Sequence, residues 1–148
     1  VMVLLEYWVA PIPLVRFPST APPVYAWLAA QPSAPVIEFP LPAPETLPGQ
    51  DPRYAYMSTF HWRPLVNGYS GYYPPNYLDT LDALRPFPSL ETLERLHRLN
   101  VRYVIVHEAL YDKADFATLM EEIKAAGGLS ELGRFDHGTG AALVFRLP

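Results

Sequence analysis

The chain has no cysteine, only two lysines, and charged residues at 18% of its length with a net charge of -4. Without cysteine there is no disulfide, no thiolate metal site and no cysteine nucleophile, and the redox compartment stays open. A net negative charge with no basic stripe excludes nucleic-acid binding, which works by displacing counterions from phosphates. Long apolar runs are also missing. Val1–Val15 carries one charge, Glu6, but Pro11 and Pro13 break it, and a membrane span needs about 20 apolar residues. The segment is too short to span, although it would suit a place just after a span. No basic n-region precedes it, so no secretory signal is visible. The start at Val1 rather than Met leads us to expect a soluble fragment or processed product. There is no internal repeat, no Gly-x-Ser-x-Gly elbow and no glycine-rich phosphate loop, because Gly138-Thr139-Gly140 falls in an expected hairpin turn.

What is present is enough for one domain. The chain has 148 residues, half of them hydrophobic; a domain of this size buries roughly two-thirds of its unfolded surface, and it is too apolar to be disordered. Proline is in excess, with 18 residues, about 12% against roughly 5% usually. Residues 1–50 hold most of the prolines and only Glu6, Arg16, Glu38 and Glu45 as charges. Proline neither donates to a ladder nor sits inside a helix, so this part is expected to be short elements joined by extended turns. Val1–Trp8 reads as a buried strand, Pro11–Pro23 as linker-like, Val24–Gln31 as a short helix and Val36–Phe39 as a buried strand ended by Pro40. Residues 51–86 form an aromatic helix–loop part. Asp51 is expected to cap a helix that runs to about Trp62, and Asn76–Leu84 to form a second helix. Residues 87–148 read as regular α/β. Ser89 caps a helix with Leu90, Leu93, Leu96 and Leu99 on one side, and Asn100 suits a left-handed end. Val101–His107 is an interior strand and Asp115 starts a helix stopped by Gly127 and Gly128. Leu129–Phe135 and Ala141–Leu147 make a hairpin. The sum is a single α/β domain, residues 1–148, with helices packed on a mixed sheet of about five strands.

The richest chemistry lies in Tyr54–Tyr77, which holds eight of the chain's 20 aromatic residues. Ser58, Thr59, His61, Arg63, Asn67 and Ser70 are interleaved. Sugar rings pack their C–H faces on aromatic rings, and their hydroxyls need Asn, His, Arg or Ser partners. The same composition also suits a core between helix and loop, with the polar groups satisfying the loop backbone. His61, His97, His107 and His137 are too scattered to converge as zinc ligands. Asp79 and Asp82 share a helical face, where solvated charges outweigh a glycosidase-type acid pair. No complete catalytic constellation is visible, and no metal or cofactor is expected.

Several stretches together resemble a known family. They are Glu6–Trp8, Pro23–Leu28, Pro35–Pro40, Tyr56–Pro75 (Tyr-Met-Ser-Thr-Phe-His-Trp-Arg-Pro-Leu-Val-Asn-Gly-Tyr-Ser-Gly-Tyr-Tyr-Pro-Pro) and Val101–His107. The chain resembles the soluble C-terminal domain of bacterial multi-spanning membrane proteins of the protein-mannosyltransferase-like glycosyltransferase type, most specifically over Ser58–Gly71. Asn100 stands where such domains are expected to carry glycine. The resemblance implies an extracytoplasmic, periplasmic domain hanging from the last span. It also implies a polyprenyl-phosphate sugar as donor and a catalytic acid in the membrane part, so no catalytic residue carries over to this chain. The leading expectation is an accessory domain of a polytopic glycosyltransferase-like protein that helps bind acceptor or donor. His61, Trp62, Arg63, Asn67 and Tyr69 are the candidate contacts, with His61 and Asn67 facing a cleft and Arg63 suited to a phosphate or carboxylate. The alternative is a structural or interaction domain without a ligand, docked on the membrane part of its own parent chain. A stand-alone hydrolase would need converging carboxylates or a histidine with a serine.

Overall fold

The computed structural model describes residues 17–68, 71–136 and 140–148. The expected strand Val1–Trp8, residues 11–16 of the expected linker, the candidate contact Tyr69, and His137 within the expected hairpin turn lie outside the described residues.

Helix α1, Pro23–Ala29, begins on a proline whose fixed φ suits a first turn, and it buries Val24, Tyr25 and Leu28. Strand β1, Val36–Phe39, is buried along its length. Helix α2, Asp51–Ser58, starts where expected but ends four residues before Trp62. His61 and Trp62 both bond back to the carbonyl of Ser58, and Trp62 then leaves the helical region at φ 53°. Asp51 does not cap this helix. It is the first helical residue and its carboxylate is buried, accepting a hydrogen bond from the Tyr77 hydroxyl of α3, Pro75–Leu84. Helix α4, Leu90–Arg98, is capped by Ser89 as expected, and Asn100 is left-handed at φ 54°. Strand β2 spans Tyr103–His107, and α5, Lys113–Ala126, begins two residues ahead of Asp115. Strands β3, Ser130–Asp136, and β4, Ala141–Arg146, pair antiparallel.

The described strands form one mixed sheet in the order β1-β2-β4-β3, with β1 and β2 parallel and the other pairs antiparallel. Four strands stand here against about five expected. Strand β2 is interior, and Val104 and Val106 are fully buried. Side chains alternate across a strand, so the sheet has two distinct faces. Ile37, Phe39, Val104, Val106, Leu143 and Phe145 meet α3, α4 and α5 through Leu84, Leu93, Leu96, Leu119 and Ile123. Val36, Tyr103, Ile105, Ala142 and Val144 meet α1 and α2 through Val24, Tyr25, Leu28 and Met57. The result is a single α/β domain with helices on both faces of its sheet.

Candidate functional site

Because β1 and β2 run parallel, their carboxyl ends lie side by side, the place where open α/β sheets usually hold ligands. Two polar residues sit there on the face covered by α1 and α2. Glu38 is opposite Ile105 in the ladder, and His107 lies two residues further along β2 on the same face. Within that gap the side chains meet: Glu38 Oε2 accepts a hydrogen bond from the Tyr25 hydroxyl at 2.7 Å and lies 2.7 Å from His107 Nε2. Glu38 has no exposed surface and His107 very little. A carboxyl group taken out of water is costly unless it is hydrogen-bonded; Tyr25 and His107 both meet Oε2, and Oε1 is buried with no protein partner among the described residues. Burial raises the Tyr25 phenol far above its ordinary pKa, and the Glu38 charge raises it further. Burial does the same to Tyr54, again with Glu38 adding to it. Both phenols therefore stay protonated donors across the physiological range. The Tyr54 ring stacks on His107 with centroids 5.3 Å apart, and its hydroxyl donates to the Pro40 carbonyl.

This cluster floors a cavity of about 310 Å³ walled by Pro18, Pro22, Tyr25, Arg53, Tyr54, Met57, His107, Ala109 and Leu110. Helices α1 and α2 form two sides, and the turn after β2 forms a third. Arg53, one turn into α2, is exposed at the rim. The volume is at the lower end of ligand-pocket sizes, and its lining of tyrosine rings with a few convergent polar groups is the usual composition of such sites. Among the described residues no group of three or more histidine, aspartate or glutamate side chains is placed to hold a metal ion.

The residues singled out in the sequence fall elsewhere. His61, expected to face a cleft, is 3% exposed and turned inward, with its ring stacked on Tyr25. Its Nδ1 accepts the Arg63 N–H at 3.0 Å. Burial lowers its pKa and the Arg63 charge lowers it further, against an upward pull from Glu38. Asn67, also expected at a cleft, is completely buried. Its amide brackets the backbone of Glu38, with Oδ1 accepting the N–H at 3.0 Å and Nδ2 donating to the carbonyl at 2.9 Å. The Arg63 guanidinium, expected to reach a partner outside the chain, donates to the carbonyls of Ala29 and Gln31 at the end of α1. Trp62 alone among the described candidates is open to solvent, at 80% exposure.

The reason lies in the edge of the sheet. Strand β1 is the outermost strand in the sheet's order, and unpaired edge groups must be satisfied. The segment from Pro64 to Asn67 runs along that edge. Val36 N–H donates to Pro64 and Val66 N–H to Val36, while Asn67 completes the pairing at Glu38. Asn67 and the backbone of Pro64–Val66 thus close the sheet edge and hold the strand that carries Glu38, while Arg63 ties the preceding turn to the end of α1. Glu38, Tyr25 and Arg53 are not among the candidates that the sequence marks, and His107 is there only as a possible metal ligand. The available signal was a lone carboxylate inside the apolar Val-Ile-Glu-Phe run and a histidine ending Tyr-Val-Ile-Val.

Comparison with protein-family models, curated proteins and solved structures returned no match.

Proposed function

We propose that this chain is an accessory, extracytoplasmic domain of a polytopic membrane glycosyltransferase-like protein. In this reading it holds the sugar-bearing part of an acceptor or of a polyprenyl-phosphate-sugar donor in the cavity at the carboxyl ends of β1 and β2. One observation carries the reading: the cavity is walled by the Tyr25 and Tyr54 rings and by His107, with a buried carboxylate fixing two of them from behind. Aromatic faces take the apolar side of a sugar ring, and fixed hydrogen-bonding groups take its hydroxyls. The cluster orients side chains rather than completing a catalytic set, so binding is the function it supports.

The test is amide-resolved NMR titration of the 148-residue chain with glucose 1-phosphate and with free glucose. Saturable shifts centred on Tyr25, Tyr54, Met57 and His107 are expected. Shifts spread evenly over the surface, or none at millimolar sugar, would remove the reading.

The structural alternative draws on a different observation. Trp62 and Tyr72 are 80% and 68% exposed, which suits a domain that packs against the membrane part of its own parent chain. Among the described residues no helix is long and apolar enough to cross a membrane.

A further inference from the structure

The cavity at Tyr25, Tyr54 and His107 does not end at Arg53. A second cavity, of about 300 Å³, lies against the other side of this residue, and the two share Pro18, Arg53 and Met57 as walls. The second lobe is completed by Phe17, Gly49, Gln50 and Pro52, so it is largely apolar, and among the described residues Arg53 is the one charged group that lines it. Among the described residues Arg53 takes part in none of the salt bridges. Glu38 and Asp51, whose charges act on Tyr54 as that of Arg53 does, are engaged and buried: Glu38 by Tyr25 and His107, Asp51 by Tyr77. A guanidinium placed between two cavities, with no salt bridge among the described residues, presents its planar fork of donors to whatever bridges them.

We infer that the two cavities form one site for an anionic amphiphile, with Arg53 as its anion-binding residue. This rests on the ligand-binding reading above and deepens it. The polar ring lies in the Tyr25–Tyr54–His107 lobe, a phosphate sits at Arg53, and an apolar chain follows Phe17, Pro18 and Pro52 outward. A neutral sugar would leave Arg53 unanswered, and a free phosphate would leave the apolar lobe uncovered. Only a ligand with both parts matches the sequence of surfaces. A phosphate is favoured over a single-point anion because the guanidinium binds it through paired, charge-assisted hydrogen bonds.

Calorimetric titration with four probes, all below their micelle concentrations and at low salt, separates the parts: inorganic phosphate, glucose 1-phosphate, octyl phosphate and octyl glucoside. Octyl phosphate is expected to bind at least tenfold more tightly than inorganic phosphate. Arg53→Gln should weaken both phosphate esters at least tenfold and leave octyl glucoside within twofold, whereas Arg53→Lys should keep part of the affinity. Phe17→Ala should weaken the two octyl probes several-fold without touching glucose 1-phosphate. Equal loss of octyl phosphate and octyl glucoside in Arg53→Gln, with an unchanged melting temperature, overturns the anion assignment. Glucose 1-phosphate binding at Tyr54 with no gain from the octyl chain overturns the two-lobed site while the sugar-binding reading stands. No binding by any probe overturns both.

Discussion

The two faces of the sheet are built from the same strands and differ in kind. Against α3, α4 and α5, leucine, valine, isoleucine and phenylalanine side chains fill the buried cluster, and the buried hydroxyl of Thr92 is satisfied within the first turn of α4 by the Ser89 carbonyl. Against α1 and α2, apolar residues share the space with Glu38, His61, Asn67 and His107, all nearly or fully buried. Apolar groups need only be covered, but a buried polar group needs a partner of the right geometry. The first face can therefore tolerate changes of shape at a cost proportional to lost contact. The second depends on particular atoms, and that dependence is what a site requires. The lesson is local. One strand, β1, sends Ile37 and Phe39 into one kind of core and Glu38 into the other.

The comparison is broken most directly by truncating each side. Leu96, on the apolar face, is completely buried. Leu96→Ala is expected to cost about 3 kcal/mol, within the usual range of about 2–5 for such truncations. Ligand affinity per folded molecule should not change. Denaturant titration paired with binding at a temperature where the variant stays folded reads both. A loss of affinity larger than the unfolded fraction explains would mean the two faces are not independent.

On the polar face the corresponding variant is Asn67→Ala. It strands the N–H and carbonyl of Glu38, both now bonded to the Asn67 amide. An unsatisfied buried group costs about 1–3 kcal/mol, so a loss of about 2–3 kcal/mol is expected, together with a change in the environment of His107. Asn67→Asp keeps an acceptor for the N–H but sets a buried carboxyl oxygen against the Glu38 carbonyl and should cost at least as much as alanine. If the alanine variant lost less than about 0.5 kcal/mol, the size of an ordinary surface change, the edge-closing role of the 64–67 segment would be wrong.

Titration separates the faces only on the acid side, because Tyr111 packs against the apolar cluster and burial raises its phenol as well. The phenols of Tyr25, Tyr54, Tyr77 and Tyr111 all have pKa values raised by burial. In the unfolded chain they ionise near the ordinary value of about 10. Stability should hold up to about pH 10 and then fall as the unfolded state alone loses protons. His61 is shifted the other way, its folded pKa lowered by burial. Its contribution is complete above the unfolded value of about 6.5 and is lost as pH falls towards the folded value. His61→Asn keeps an acceptor for the Arg63 N–H and should flatten this acid limb. Melting temperatures of the two chains across pH 4–7 check it, and parallel curves would show that His61 does not titrate with unfolding.

Much of the fold was legible because periodicity and chain breakers agreed. Leu93 and Leu96 repeat at helical spacing behind Ser89, and Val-Ile-Val between amphipathic helices marked an interior strand. Misjudged boundaries fell where tertiary bonds decide. Helix α2 stops early because Trp62 turns left-handed, and Asp51 is drawn into the domain by Tyr77 instead of capping. The site was less legible because its members are far apart in sequence: Tyr25, Glu38 and His107 meet only once β1 and β2 pair in parallel. The family-like 58–71 stretch drew attention for its unusual residues. Asn67 closes the sheet edge, a role that depends on which strand lies outermost, and His61 and Arg63 fix the turn before it and tie it to the end of α1.

Trp62 offers the smallest expected effect and a clean one. It is the residue of that stretch that packing explains least: 80% exposed, and at φ 53° in a region where a Cβ is unfavourable. Its neighbours hold it there. The Trp62 N–H bonds to Ser58, the next N–H bonds to His61, and the Arg63 guanidinium anchors to the end of α1. The strain belongs to the backbone, not to the indole. Trp62→Ala keeps the Cβ and should therefore leave stability within about 0.5 kcal/mol of the parent, as for an exposed side chain. Trp62→Gly removes the Cβ clash, worth about 1–2 kcal/mol in this region, but adds freedom to the unfolded chain that offsets about 0.4–1 kcal/mol of it. The glycine variant should accordingly be more stable than the alanine variant by about 0.5–1 kcal/mol in parallel urea titrations. Alanine matching or exceeding glycine would mean that the left-handed turn at Trp62 is not held by the surrounding bonds.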